Sequence, residues 1–324
     1  HYMVDITERL EKIKEMIDKG DYFVINRGRQ YGKTTTLKAL NNYLADSYYV
    51  VSMDFQRQMS TAKFKDEYSF SVAFIKAFIA SLKRNECSEQ LLSAINKLEE
   101  IIIDNLDLVD LFVNLSEFCG SAEKPVVLMI DEVDQASNNQ VFLDFLAQLR
   151  GYYLDRFDSP TFKAVILAGV YDIRNLKLKI RDDSNHKHNS PWNIAVDFNV
   201  DMSLTTDGIS GMLTDYEKDH NTGMDIDDIS QLIYDYTSGY PVLVSNICKL
   251  IDEDIHEWTG EGIIKAVNQM LATNTPLFDS LINRLEEYPE MKKSLYQILT
   301  KGDRFSFNPD HEQTKLLLMF GFVK

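Results

Sequence analysis

Apolar residues along this chain follow two rhythms. Short runs dense in β-branched and aromatic residues come first: "YFVIN" (22–26), "YYVVSMDF" (48–55), "VVLMID" (126–131), "FKAVILAGV" (162–170) and "NIAVDFNV" (193–200). Such runs predict strands. Several are apolar at every position, as strands covered on both faces of a parallel sheet are. Between them, apolar residues recur every three or four positions, the helical spacing. Leu37, Leu40 and Leu44 mark one helix face; Leu91, Leu92, Ile95 and Leu98, then Ile102, Leu106 and Val109, mark others. "SFSVAFIKAFIASL" (69–82) predicts a buried amphipathic helix; it carries Lys76 and is too short to span a bilayer. Strands alternating with helices predict right-handed βαβ units and a three-layer α/β domain.

The rhythm changes near residue 201. Helices are predicted at 205–219, 225–237, 241–255 and 260–272, with Thr205 or Thr206 capping the first and "DIDD" opening the second. "NTPLFDS" (274–280) reads as a junction. Residues 281–324 read as a helix, "RFSF", the helix "DHEQTKLLLMF" and "GFVK", the opening of a winged helix. The expected division is a core over 1–200, a helical lid over 201–273 and a partial winged-helix-like segment over 274–324. The start at His1 rather than Met leads one to expect a natural N-terminus upstream, and the interrupted wing a truncated chain.

Composition adds little: 44% hydrophobic and 26% charged residues fit an ordinary globular core. Cys87, Cys119 and Cys248 lie far apart with no C-x-x-C spacing, which argues against a disulfide framework or zinc site and fits a reduced cytoplasmic protein. His186 and His188 read as part of a solvated loop rather than a metal site. Charge says more. The net charge is −16, and residues 201–324 carry 21 acidic against 10 basic side chains. Such a field repels a phosphate backbone, so nucleic acid is not the favoured partner.

Chemistry enters at "GRQYGKTT", Gly28 to Thr35, directly after the first strand. A phosphate cradle needs a strand that ends, a tight loop with inward N–H groups and a helix N-terminus facing the anion. Strand "YFVIN", loop "RGRQYGKT" and helix "TTLKALNNYL" supply them in that order. The pattern G-x-x-x-x-G-K-[ST] lacks its first glycine, where Arg27 stands, with Gly28 next door to relieve strain. Gly32 lets the backbone approach phosphate, Lys33 reaches the β- and γ-phosphates, and the Thr34 hydroxyl ligates Mg²⁺. Arg27, Gly28, Arg29, Gln30, Tyr31, Gly32, Lys33, Thr34 and Thr35 are thus the expected nucleotide-binding stretch for ATP or ADP. A chance G-K-T in a surface turn is the alternative, and the strand and helix context disfavours it.

The apolar strand "PVVLMIDEVD" ends in two carboxylates. Charges at a buried strand end are costly unless they have a task. Asp131 is the expected Mg²⁺ partner and Glu132 the general base that polarises water. A glutamate directly after the magnesium aspartate, with "YYVVSMDF" as an intervening strand, points to ATP hydrolysis rather than to a kinase or GTPase.

The stretches "YFVINRGRQYGKTTTL", "VVLMIDEVD", "VILAGVYDIRNLKLKIR", "NSPWNIAVDFNVDMS" and "YDYTSGYPVLVSNICKLIDE" together resemble the bacterial AAA-like ATPases of the STAND and archaeal-ATPase branch, over residues 1 to about 272. The resemblance implies an ASCE P-loop NTPase core with a five-stranded parallel sheet in the order 5-1-4-3-2, followed by an α-helical lid. The resemblance also implies that relatives often carry a C-terminal nuclease-like domain of the PD-(D/E)XK type, and residues 1–324 give no expectation of that activity. "SGYP" matches the G-x-P lid motif at Gly239 and Pro241, which also reads as ordinary punctuation between helices, and Tyr2 falls where relatives line the adenine pocket, with a frayed terminus as the alternative. The resemblance also implies a polar sensor after the fourth strand. Here that place reads "LAGVYD": Ala168 and Gly169 offer no donor, and Tyr171 and Asp172 lie just beyond. Arg150 is the best-placed arginine finger, with Arg156 and Arg174 as rivals; the plainer reading of each is a surface or strand-cap arginine, and a finger implies self-association.

The leading expectation is a Mg²⁺-dependent ATPase switch that repositions an attached or partner domain as ATP is turned over between core and lid. The alternatives are a module that holds nucleotide and presents its acidic lid to a protein partner, and a DNA-directed ATPase acting through the winged-helix segment. No membrane association is expected.

Overall fold

The computed structural model describes residues 2–84, 87–101, 105–136, 138–170, 192–273, 275–301 and 312–323. Four of the five apolar runs form one parallel sheet: β1 (Tyr22–Asn26), β2 (Tyr49–Asp54), β3 (Val126–Asp131) and β4 (Ala164–Gly169), in the order β1-β4-β3-β2. β3 and β4 are buried at every position, as their unbroken apolar runs require. Val24 registers with Leu167, Ile166 with Met129, and Ser52 with Met129.

The expected fifth strand is corrected to a single bridge. Val196 pairs with Phe23 in parallel, and its N–H donates to the Tyr22 carbonyl at 2.9 Å. The run 193–200 alternates, with Asn193, Asp197 and Asn199 exposed and Phe198 and Val200 buried. Only one face has apolar surface to bury, and the run lies along β1 without building a ladder.

The chain divides into two compact units. One holds Leu10–Asn26 and Thr34–Asn199, and the other holds His1–Arg9, Arg27–Lys33 and Val200–Lys324. The first carries the sheet, with α1 (Thr7–Lys19) entering it from Leu10 and α2 (Lys33–Leu44) from Thr34. Then follow α3 (Phe55–Gln58), α4 (Glu67–Leu82), α5 (Glu89–Glu100), α6 (Leu108–Ser121) and α7 (Gln140–Leu154). α4 is not the one-faced helix its pattern suggested: ten of its sixteen residues are buried, Phe70, Phe74 and Phe78 among them, while Lys76 is exposed. Phe145 of α7 packs on Phe70 and Phe74 at ring distances of 5.2 and 4.9 Å. Fully burying each such ring contributes about 2–3 kcal/mol. At the sheet edge, Ser81 Oγ accepts from the Ser52 N–H (2.8 Å) and donates to its carbonyl (3.1 Å), satisfying β2 groups that no further strand among the described residues pairs.

The second unit is helical: α8 (Thr206–His220), α9 (Ile226–Thr237), α10 (Pro241–Leu250), α11 (Gly260–Ala272), α12 (Pro276–Glu287), α13 (Pro289–Lys301) and α14 (Glu312–Phe320). Side-chain oxygens of Thr205, Asp225 and Thr259 cap α8, α9 and α11. Ile209, Leu213, Ile233, Val244, Ile247 and Ile263 form its core. The predicted helix over 241–255 is α-helical only to Leu250 and continues as a π turn, Ile251–Ile255. The expected junction at 274–280 is instead a helix start, with Thr275 Oγ1 accepting from Phe278 N and Pro276 in the first turn. Pro289 opens a separate helix, and "RFSF" lies outside the described residues.

Candidate functional site

Within the helical unit, the loop after β1 is built on two left-handed residues, Gln30 (φ 58°) and Gly32 (φ 81°). Lys33 follows, with its side chain buried. Its ammonium donates to the carbonyls of Arg27 (2.9 Å) and Gly28 (3.0 Å), folding the loop around the charge. Arg27, in place of the outer glycine, donates to the Val200 carbonyl at 3.4 Å. Burial pushes its guanidinium pKa down, opposed by Tyr31 and Asp201. Gly28 is tightly enclosed: a Cβ there would lie 3.1 Å from the Phe320 carbonyl oxygen and 3.3 Å from the Tyr240 hydroxyl. Arg29 and Gln30 are exposed, and Tyr31 is buried.

The G-x-P stretch belongs to the same unit. Gly239 (φ 72°) accepts from Leu204 N at 2.7 Å, and a Cβ on it would fall 1.9 Å from the Leu204 carbonyl oxygen. Pro241 opens α10, and its Cγ lies 3.8 Å from where a Gly32 Cβ would stand. Tyr240, which no sequence signal singles out, donates from its hydroxyl to the Arg29 carbonyl at 2.7 Å. Tyr2 is engaged elsewhere in the unit: its ring meets Tyr216 edge-on at 5.2 Å and its hydroxyl donates to Asp219 at 2.5 Å. That bond is the main reason its pKa is pushed up to about 12.

Within the sheet unit, the Thr34 hydroxyl donates to Asp131 Oδ2 at 2.5 Å, and the Glu132 N–H donates to Asp131 Oδ1 at 2.9 Å. Asp131 is only 6% exposed. Thr35 is exposed on the first turn of α2. Glu132 is half-buried in left-handed backbone (φ 55°, ψ 40°). For a residue with a Cβ that costs about 1–2 kcal/mol, and such strain concentrates at functional positions. Asp54, in register with Asp131, is committed to capping α3 and pairs with Arg57 at 2.5 Å.

The end of β4 has an unexpected occupant. Asp134 Oδ2 accepts from the Val170 N–H at 2.6 Å, and its Oδ1 lies 2.9 Å from where a Gly169 Cβ would stand. A carboxylate from the Asp-Glu turn thus sits where a polar sensor was sought. The third acid of "DEVD" was the available signal. Tyr171, Asp172, Arg174, His186 and His188 lie outside the described residues. Arg150 sits ten residues into α7, about 15 Å along the helix from its start, and its buried Nε has no hydrogen-bond partner among the described residues. No described contact joins it to Thr34, Asp131 or Glu132. Arg156 lies over the Tyr153 and Phe157 rings (4.1 and 4.9 Å) and donates to the Tyr153 carbonyl.

Cys87, Cys119 and Cys248 are free thiols. Among the described residues, no group of three His, Cys, Asp or Glu side chains could hold a metal, and no helix is long and apolar enough to cross a membrane.

A parallel β1-β4-β3-β2 sheet, a lysine-bearing turn leading from its first strand into a helix, and an acidic pair ending β3 define the P-loop class with an AAA-like core. The chain belongs to the AAA-like domain family, whose profile matches residues 3–324. The match extends past residue 272, where the resemblance read from sequence stopped, and includes α12, α13 and α14. A search of curated proteins found no match. Among solved structures, the chain is similar to the Aeropyrum pernix ORC2 protein in ADPNP–ADP complexes (TM-score 0.48, 11% identity, 100% of this chain and 89% of that one). It is also similar to the Aeropyrum pernix ORC1 protein in complex with DNA (0.46, 11%, 94% and 74%) and to Cdc6p from Pyrobaculum aerophilum (0.46, 15%, 95% and 83%). Similarity at that level says nothing of what this chain binds.

Proposed function

We propose that this chain binds ATP and ADP through residues 27–35 and is a Mg²⁺-dependent ATPase of modest turnover that acts as a conformational switch on an attached or partner domain. The observation that carries the reading is the Thr34–Asp131 pair, 2.5 Å apart and directly after the buried ammonium of Lys33. Hydroxyl and carboxylate oxygens are the hard donors Mg²⁺ takes, and a lysine with a helix N-terminus suits phosphate. Mg²⁺, when bound, neutralises charge on the phosphate oxygens. Lys33 binds phosphate, Thr34 and Asp131 hold the cation, and Glu132 takes the proton of the attacking water. Gly239 and Pro241 shape the lid. Arg150 serves a neighbouring copy as the finger, with Tyr2 a candidate for the base.

We read the functional parts as the core 1–200, the lid 201–273 and the partial winged-helix-like segment 274–324, in a cytoplasmic protein of the STAND and archaeal-ATPase branch. The basis is the Gly239-Tyr240-Pro241 motif and the reduced cysteines. The deciding experiment measures phosphate release and nucleotide binding together. Wild-type turnover, lost by about a hundredfold or more in Glu132→Gln with binding intact, supports the switch. A second reading, a module that holds nucleotide without turning it over, is favoured by Asp134 at the end of β4 beside Ala168 and Gly169. Co-purifying ADP with no turnover at any protein concentration would select it. The surplus of 21 acidic over 10 basic side chains in residues 201–324 weighs against a DNA-directed ATPase.

A further inference from the structure

Tyr240 lies between Gly239, in left-handed backbone (φ 72°), and Pro241 at the head of α10. The proline keeps Tyr240 out of the helical region, as the N-cap (φ −63°, ψ 115°), and the Tyr240 N–H donates to the Thr237 carbonyl at 2.9 Å. The side chain is only 7% exposed. Its hydroxyl donates to the Arg29 carbonyl at 2.7 Å. Its ring meets Tyr31 edge-on at a centroid distance of 4.5 Å. Its Cε2 lies 3.1 Å from where a Cβ on Gly321 would stand, with Tyr31 Cε2 at 3.5 Å from the same point.

Gly321 ends α14. Its N–H donates to the Leu318 carbonyl and that of Phe322 to the Leu317 carbonyl, with Gly321 at φ 79°: a left-handed helix stop. Phe320 beside it is buried against Tyr288 (5.8 Å) and the Arg284 guanidinium (5.4 Å), and its carbonyl oxygen abuts Gly28. The end of α14 therefore rests on the same tyrosine that holds the loop.

We propose that Tyr240 is a positioning residue for the phosphate loop, and that through it the seating of α14 controls how tightly the loop holds nucleotide. A trans peptide points its C=O and N–H in opposite directions. Fixing the Arg29 carbonyl on Tyr240 therefore fixes the Gln30 N–H to point away from Tyr240. A loop that grips phosphate does so with its N–H groups, so one hydroxyl sets the direction of one donor. Burial pushes the Tyr240 phenol pKa up, so the hydroxyl stays a donor throughout the neutral range. Gly321 takes the left-handed φ of the stop without strain, and a side chain there would crowd the Tyr240 ring.

The inference rests on the nucleotide reading for its consequence but not for its geometry, and the test separates the two. In the full chain, Tyr240→Phe keeps the ring and removes the hydroxyl, and Gly321→Val pushes on the ring from the α14 side. Amide hydrogen exchange of residues 28–32 is measured without nucleotide, and release of a fluorescent ADP analogue is measured by stopped flow. Tyr240→Phe is expected to speed release about 5-fold, the worth of one hydrogen bond, and to raise exchange in the loop while the α8–α11 core keeps its protection. Gly321→Val is expected to do the same. Unchanged loop exchange and unchanged release in Tyr240→Phe overturn the positioning role. An effect of Tyr240→Phe with none of Gly321→Val overturns the link to α14. If the wild type binds no ADP while Tyr240→Phe still loosens the loop, the nucleotide reading fails and the positioning role stands.

Discussion

Thr34 and Asp131, 97 residues apart in sequence, share a 2.5 Å hydrogen bond from hydroxyl to carboxylate. Thr34 stands at the second position of α2, and Asp131 is the last residue of β3. A carboxylate that is only 6% exposed and holds one hydroxyl and one N–H keeps acceptor capacity for a cation. Thr34→Ala and Asp131→Asn are therefore expected to weaken Mg²⁺–ADP binding by about tenfold or more, with little change in binding when Mg²⁺ is chelated. Calorimetric titrations with Mg²⁺ and with EDTA give that comparison. Equal losses in both would show that the pair serves the fold and not a cation.

Lys33 is tested by a different signature. Its ammonium donates to the Arg27 and Gly28 carbonyls, so it shapes the loop besides supplying charge. Lys33→Met keeps the stem and removes the donors. Hydrogen bonds from a charged donor are worth about 1.5–3 kcal/mol each, so nucleotide affinity is expected to fall by at least tenfold. Loop amides 28–32 should also exchange faster in the nucleotide-free protein. A loss of affinity with loop exchange unchanged would confine Lys33 to phosphate contact.

Much of this was legible in the chain because its signals are local. The strands at 22–26 and 126–131 and the helices near 205–219, 225–237 and 260–272 follow from apolar period and caps, and they stand within a residue or two of their predicted limits. The fifth strand failed because its alternation gives one buried face and it finds only the Phe23–Val196 bridge. The cap at Thr275 is masked by the polar residues around it in "NTPLFDS", and the break at Pro289 by apolar spacing that continues on both sides of it. Tyr240 and Asp134 were missed for another reason. Their partners, Arg29 and Val170, lie 211 and 36 residues away, and no periodicity encodes such a pairing.

Gly169 and Asp134 offer a test at the end of β4. A Cβ on Gly169 would stand 2.9 Å from Asp134 Oδ1 and 3.0 Å from Val133 Cγ2. The carboxylate cannot swing aside freely, because Oδ2 holds the Val170 N–H at 2.6 Å. Gly169→Ala is expected to destabilise the protein by about 1–3 kcal/mol, an overpacking cost. Gly169→Ala with Asp134→Ala should recover part of it, and urea unfolding of the two singles and the double measures the coupling. Strict additivity would mean that the two do not meet.

The alkaline limb of stability follows from buried acids. Burial pushes the Cys119 and Cys248 thiols up to about 12 and pushes the Tyr22 phenol up as well. In the unfolded chain a thiol ionises near about 8.5 and a phenol near about 10. Above those values the folded state binds more protons than the unfolded one, so stability falls as pH rises. The contribution of these groups is fully present below about pH 8.5 and is lost progressively toward pH 12. Urea midpoints should hold steady up to about pH 8 and decline from about pH 9 upward. Replacing Cys119 and Cys248 together by alanine should flatten the first part of that decline, before tyrosine ionisation begins, whatever the change does to stability at neutral pH. Both residues are part-exposed while desolvation holds their thiols protonated, so a thiol reagent at pH 8 should label them more slowly in the folded protein than after unfolding. Equal labelling rates would show that the fold does not hold these thiols protonated.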